Sequence, residues 1–283
     1  MCSSVSICGS NHLVPNHGSP SMRIALLTTD AAVSAKAVRQ FIAAHRHEIV
    51  LVAESSPFRS PSGPPTRRTL RALWRSRLLL VPYLLVNFVL PRLTGRSLRT
   101  CCRTRGISFL GLGDVNAPAT IFALRKSGAD ALLLYHFDQI LSADTIAQFP
   151  GGIANVHPSL LPAQRGPVPT VHLLLERAPR AGVTIHRVTP RIDDGAILAK
   201  AEVALPDGAS AIGVARHLHL AALPLLPMAL DMLRTGAAGT AQGSRQPYCG
   251  FPTAAMLWRL RRMGRRTVRL RDMRMAISDM LDS

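Results

Sequence analysis

The residues best able to do chemistry lie in 151–198, GGIANVHPSLLPAQRGPVPTVHLLLERAPRAGVTIHRVTPRIDDGAIL. Asn155 and His157 alternate with Ala154 and Val156 at the end of an apolar run. Side chains two apart on a strand share a face, so this pattern points both the same way. Pro158 stops the strand at once and leaves the pair at the carboxyl edge of a sheet. Pro162, Gly166, Pro167 and Pro169 then shape an irregular loop, and a loop at that edge is where an α/β protein builds a site. Downstream, Arg191-Ile-Asp-Asp-Gly offers two carboxylates, Asp193 and Asp194, at a turn. An amide donor, an imidazole and a carboxylate together suit acyl transfer. The amide holds a developing oxyanion, the imidazole moves a proton, and the acid sets its protonation state.

Such a set needs a rigid frame, and the preceding 150 residues predict one. An apolar run over 22–29 is followed by helical spacing over 33–45 and a second apolar run over 48–53. After 106 the alternation resumes: ISFLGLG, the helical APATIFALRKSG, the strand DALLLYHF, the helical SADTIAQF, then the strand ending at His157. This β-α-β order predicts a mostly parallel sheet flanked by helices, with ligands held at the carboxyl ends of its strands.

Composition narrows the class. The chain has 283 residues, 47% of them apolar, which supports a folded core. Basic residues outnumber acidic ones 34 to 16, for a net +18, and only Lys36, Lys126 and Lys200 are lysines. No wholly apolar run reaches the ~20 residues that a spanning helix needs, which excludes a polytopic membrane protein. The five cysteines form no CxxC pair, so neither a disulfide module nor a Cys-ligated zinc site is expected, and no metal is implied. Residues 1–21 have the composition of a disordered lead-in and lack the form of a signal peptide. A cytoplasmic protein whose folded part starts at Met22 is the expectation.

Two basic segments stand out. Between Ser55 and Gly113 there are eleven arginines and no acid, around the fourteen-residue run LLLVPYLLVNFVLP at 78–91. This insert reads either as a core-packing helix with solvated arginines or as an interfacial helix drawn to an anionic membrane surface. The second segment, RLRRMGRRTVRLRDMR at 259–274, belongs to a basic C-terminal extension over 236–283 that reads as a solvated tail.

The 151–198 segment closely resembles the folate-dependent formyltransferase family, which includes glycinamide ribonucleotide and methionyl-tRNA formyltransferases. The resemblance is carried by Asn155-Val-His157-Pro158-Ser159-Leu160-Leu161-Pro162-Ala-Gln-Arg165-Gly166, then Ile192-Asp193-Asp194-Gly195, with Gly182-Val-Thr-Ile-His186 between them. It implies a Rossmann-like catalytic domain over 22–235 that moves a formyl group from 10-formyltetrahydrofolate to an amine. Asn155, His157 and Asp193 become the catalytic trio, with Asp193 favouring the imidazolium and Asp194 as its rival. Phe137, Asp138, Gln139, Ile140 and Leu141 fall at the folate-pocket loop, joined by Ile192. Arg165 reads as a loop brace or a ligand, and His172 and His186 as packing or surface residues.

The chain also departs from the family. Glycinamide ribonucleotide enzymes carry a glycine-containing loop after the first strand that cradles a phosphate, whereas here the turn is Thr28-Thr29-Asp30-Ala31-Ala32. The expected acceptor is therefore a small amine such as an amino-sugar nucleotide. Initiator methionyl-tRNA is disfavoured because only 49 residues follow the helix ending at Arg234. No specific nucleic acid is expected, because charge alone gives only salt-sensitive, non-specific binding. A formyltetrahydrofolate hydrolase with the same trio, and a basic membrane- or nucleic-acid-binding protein with an inactive site, are the other classes.

Overall fold

The computed structural model describes residues 22–56, 74–176, 180–244 and 246–281. The lead-in over 1–21 and the loop and arginines over 57–73 lie outside the described residues. Seven strands form one sheet: β1 (Ile24–Thr29), β2 (Ile49–Ser55), β3 (Ser108–Gly111), β4 (Ala131–Tyr135), β5 (Ile153–His157), β6 (Ala181–Arg187) and β7 (Ile197–Val203). Their order is β3-β2-β1-β4-β5-β6-β7. β1 to β5 run parallel, while β6 and β7 are antiparallel additions at one edge.

The unbroken apolar runs follow from this placement. Along β1, Ile24 and Leu26 enter one buried cluster while Ala25 and Leu27 enter the other, because helices cover both faces of the sheet. The helices are α1 (Ala35–Ala44), α2 (Val81–Leu93), α3 (Leu98–Thr104), α4 (Pro118–Lys126), α5 (Ala143–Ala147), α6 (Pro169–Glu176), α7 (Ala211–Arg234), α8 (Ala254–Arg262) and α9 (Leu270–Leu281). Several start on a serine that accepts from the third amide beyond it, as Ser142 does from Thr145 N at 3.1 Å and Ser210 from Gly213 N at 3.0 Å. α7 is long and apolar enough to cross a membrane, but here it is the core helix that packs on β6 and β7.

The strand order reverses at β1: the chain moves outward through β2 and β3, then returns to β4 on the other side. A crevice opens at such a switch point, beyond the carboxyl ends of the strands. Thr29 fixes its floor by donating through N and Oγ1 to His136 O, at 3.2 and 2.8 Å.

The Arg-rich insert closes one side of this crevice. α2 contains a π-type turn over Leu85–Val89 and buries Tyr83, Val86, Asn87 and Phe88. The core-packing reading therefore holds for its inner face. The segment read as a solvated tail also folds back. Leu257, Leu260, Ala276 and Met280 are buried. Asp272 accepts from Ser210 Oγ at 2.5 Å and Arg269 N at 2.6 Å, while Asp279 pairs with Arg216 and with Lys36 at 3.6 Å. Asp272 and Asp279 are thus spent inside, on the attachment of this segment to α1 and α7.

Replacing Leu257 or Leu260 by Ala is expected to cost about 2–5 kcal/mol of unfolding free energy, the usual range for a buried leucine. Urea unfolding of the two variants checks this. Values near zero would mean that 246–281 contributes nothing to the domain's stability.

Candidate active site

The sheet brings Asn155 and His157 to the same end of β5, as their alternation requires. The antiparallel register then sets His186 of β6 opposite Asn155. The turn after β6 carries Asp193 back over the strand ends, in a left-handed conformation with φ of 49°. Asp193 Oδ1 stands 3.7 Å from His157 Nδ1 and 3.7 Å from His186 Nε2, and Asp193 Oδ2 accepts from Gly166 N at 3.0 Å. The other nitrogen of His157 faces Gln164 O at 3.3 Å. Asn155, His157 and Asp193 therefore converge from β5 and a turn some three dozen residues further on.

Asp194 points elsewhere. It pairs with Arg191 at 3.1 Å and lies 3.6 Å from Arg165. Arg165 is a brace: fully buried, it donates from Nε to Asp193 O at 3.1 Å and from its terminal nitrogen to Ile192 O. Gln242, from the C-terminal segment, adds bonds to Asp193 O at 3.2 Å and Gly195 O at 2.8 Å.

His186 corrects the expectation of a mere packing residue. Its Nδ1 donates to Arg187 O at 2.8 Å, which leaves Nε2 to accept from the Asn155 amide at 3.1 Å. Burial holds its pKa down to about 4, so the ring stays neutral and keeps this acceptor role. Asn155 itself lines the crevice. Sequence reasoning missed this because the pairing of Asn155 with His186 depends on strand register, which no local motif encodes. His172 is structural as expected, bonded to Gly250 O at 3.0 Å.

The crevice forms a cavity of about 900 Å³, within the range of small-molecule sites. Asn155, His157 and Asp193 line it, and so do Phe137, Asp138, Gln139, Ile140, Leu141 and Ile192. Gln139 also braces its loop: its side chain accepts from Val115 N at 2.8 Å and donates to Gly113 O at 2.7 Å. Two further histidines in the wall, His136 and His219, were not anticipated. Burial depresses the pKa of both, of His219 to about 4. Among the described residues no group of His, Cys, Asp or Glu could hold a metal ion.

Comparison with known proteins places this geometry. The family model described as formyl transferase matches residues 114–230, a stretch containing β4 to β7 and the whole convergent trio. The methionyl-tRNA formyltransferase of Borrelia turicatae (strain 91E135) is 32% identical over 129 residues, covering 45% of this chain and 42% of the relative. The match thus spans less than half the length of this curated relative. Glycinamide ribonucleotide transformylase 1 from Symbiobacterium toebii superimposes with a TM-score of 0.55 at 19% identity, covering 83% of this chain and all of its own. A sugar N-formyltransferase from Shewanella sp. FDAARGOS_354 gives 0.54 at 16% identity, over 92% and 88% of the two chains. The fold is the Rossmann-like fold of these proteins, and residues 114–230 are the stretch that resembles the formyl transferase family.

The buried histidines predict sensitivity to acid. In the unfolded chain a histidine takes up its proton near pH 6.5; in the fold, His186 and His219 do so only near 4. Between these values the unfolded state binds more protons, so stability falls as pH drops through the window. Glu54 acts oppositely: burial raises its pKa to about 7, so it loses stability as pH rises from 4.5. With His136 also depressed and Asp138 also raised by burial, three histidines oppose two carboxyl groups. Urea unfolding at pH 7.5 and pH 5 should show the wild type weaker at pH 5. His219→Leu should reduce that loss by up to about 1.4 kcal/mol per pH unit, one proton's worth. An unchanged pH difference in the variant would refute the assignment.

Proposed function

We propose that the chain transfers a formyl group from 10-formyltetrahydrofolate to the amine of a small-molecule acceptor, with an amino-sugar nucleotide or a similar biosynthetic amine as the class. The observation that carries this reading is the meeting of Asn155, His157 and Asp193 in a cavity large enough for two substrates. The donor lies along 137–141 and Ile192, with its formyl carbon toward the trio. The acceptor nitrogen attacks that carbon, and negative charge builds on the formyl oxygen. The free N–H of Asn155 and a protonated His157 hold this oxygen. Asp193 takes the proton from the attacking nitrogen. As the carbon–N10 bond breaks, Asp193 passes that proton to N10 and tetrahydrofolate leaves. Arg165, Gly166 N and Gln242 keep the carboxylate in place throughout.

A second observation bears on where the enzyme works, in the cytoplasm and at its membrane surface. α2 exposes the apolar Pro82, Leu85 and Leu93, Leu93 to 76%, and Leu78 is exposed just before it. α9 packs beside it and exposes Leu270, Met273 and Ile277. Exposed arginines flank both helices, including Arg75, Arg77, Arg92, Arg271 and Arg274. Apolar residues amid cationic ones fit the headgroup region of an anionic bilayer.

Tetrahydrofolate release from 10-formyltetrahydrofolate, read with and without a panel of amines, tests the activity. Release should depend on the acceptor. Equal release as formate without any amine would make the protein a hydrolase, and methionyl-tRNA matching the best small amine would overturn the acceptor class. His157→Ala, Asn155→Ala and Asp193→Asn should each lower turnover by roughly 10²–10⁴-fold, with Asp194→Asn milder.

Sedimentation with vesicles tests the surface. Vesicles containing phosphatidylserine should bind more protein than neutral ones, high salt should weaken binding, and Leu85→Asp with Leu93→Asp should reduce it. Equal partitioning to both vesicle types would refute it.

A further inference from the structure

Beyond His157 the cavity continues beneath α2 into a lobe that the trio does not use. Its apolar wall is made by Leu80, Tyr83 and Phe88. Three polar side chains from separate elements meet in the same wall: Asn87 of α2, His136 after β4 and His219 of α7. The His136 and His219 rings are 5.2 Å apart, and Phe88 stands 6.0 Å from His136. Among the described residues, Asn87 Nδ2, His136 Nε2 and His219 Nε2 are buried and have no hydrogen-bond partner. Each such group costs about 1–3 kcal/mol if nothing meets it. Three of them around one cavity are a built feature in need of a ligand.

The bonds these residues do make define what they lack. Asn87 Oδ1 accepts from Val33 N at 3.1 Å, and its main-chain O accepts from Ala32 N at 2.8 Å. Nδ2 is therefore a donor with no acceptor. His219 donates from Nδ1 to Ala215 O at 2.8 Å, so in the neutral ring Nε2 is a bare lone pair. An unmet donor and an unmet acceptor thus belong to the wall of one cavity. The same bonds also close the turn after β1 to anions. The amides of Ala32 and Val33 that could cradle a phosphate are both taken by Asn87. Asp30 in that turn is itself held by Arg39 at 3.3 Å and Leu98 N at 3.2 Å.

We propose that this lobe is the acceptor subsite and that it receives a hydroxylated amine with no anionic group near the reacting nitrogen. This deepens the proposed transfer reaction and rests on it. Acceptor hydroxyls meet both needs, an oxygen taking the Asn87 Nδ2 proton and an O–H donating to His219 Nε2. The Leu80, Tyr83 and Phe88 wall covers the carbon skeleton, and the amine is left toward His157. Any phosphate or nucleotide on such an acceptor lies outside the lobe.

The probes are D-glucosamine, its 3-deoxy and 4-deoxy analogues, and D-glucosamine 6-phosphate, each assayed with 10-formyltetrahydrofolate by kcat/KM. The wild type should prefer the unphosphorylated sugar and lose about 10- to 100-fold for at least one deoxy analogue, as a site with buried polar groups does. His219→Leu should lose about as much on the parent sugar and no longer distinguish that analogue. His219→Gln, which can present an oxygen near the Nε2 position, should recover part of the discrimination. Asn87→Asp, which keeps the Oδ1 bond to Val33 N and removes the donor, should also lose discrimination; circular dichroism confirms that each variant is folded. Transfer that favours the 6-phosphate, or that ignores the hydroxyls in wild type and variants alike, overturns the subsite while leaving formyl transfer intact. Absence of transfer to every amine, methionyl-tRNA included, overturns the transfer reading itself.

Discussion

A buried guanidinium holds this site together. Arg165 has almost no contact with solvent, and a charge so placed must find partners or destabilise the fold. It finds them in the carbonyls of Ile192 and Asp193 and in the nearby carboxylate of Asp194. The loop after β5 and the acidic turn after β6 are thereby fixed as one body. The left-handed backbone of Asp193 is tolerable only because several bonds determine it at once. Gly166 N and Gln242 complete the clamp, and a Cβ at position 166 would strike Cys249 O. The irregular stretch 163–167 thus has a physical reason for its composition: it must carry one long cation and one bare backbone amide to the same turn.

The sheet supplies the other half of the geometry. Parallel strands deliver their carboxyl ends to one rim, and the reversal beside β1 parts the connections there. Two antiparallel strands then extend the sheet past β5, and that change of direction lets His186 reach Asn155 from the neighbouring strand. A parallel neighbour would need a crossover and would bring a different residue to that point. The amide that is to hold an oxyanion is therefore oriented by topology as much as by its own motif.

Much of this is legible in the sequence. Unbroken apolar runs reveal strands buried on both faces, and the spacing of Asn155, His157 and Pro158 reveals a strand end with two polar groups on one side. Asp193 is legible only through resemblance, because Asp194 beside it has the same chemistry; the distinction comes from Arg191 and Arg165 drawing Asp194 away. His186 is hidden by register. Asn87, His136 and His219 are hidden more deeply, since they lie on three elements whose meeting is a tertiary fact. The insert misleads in another way: its composition suggests a peripheral decoration, yet its inner residues seal the turn after β1. The C-terminal segment reads as a solvated tail because arginines dominate it. Its attachment depends on Asp272, Asp279 and a few apolar residues that composition outweighs.

The distribution of charge explains how so basic a chain can carry a neutral lobe. Asp30, Asp272 and Asp279 are buried and each is engaged by arginine, serine or backbone amides. Most arginines of the insert and C-terminal helices remain outside. Burial then keeps His136, His186 and His219 uncharged, since ionising any of them would require a solvation that the interior cannot give. In the proposed reaction the acceptor amine must be unprotonated to attack, and the neutral Asn87, His136 and His219 do not stabilise its ammonium form. In that reaction Asp193, held by Gly166 N, is the carboxylate placed to take the proton that the attacking nitrogen loses. α2 makes this separation possible: its inner side closes a neutral chamber with Tyr83, Asn87 and Phe88, while the arginines around it stay on the solvent side. One insert thus contributes Tyr83, Asn87 and Phe88 to the cavity wall and exposes Leu85 and Leu93 on its other side.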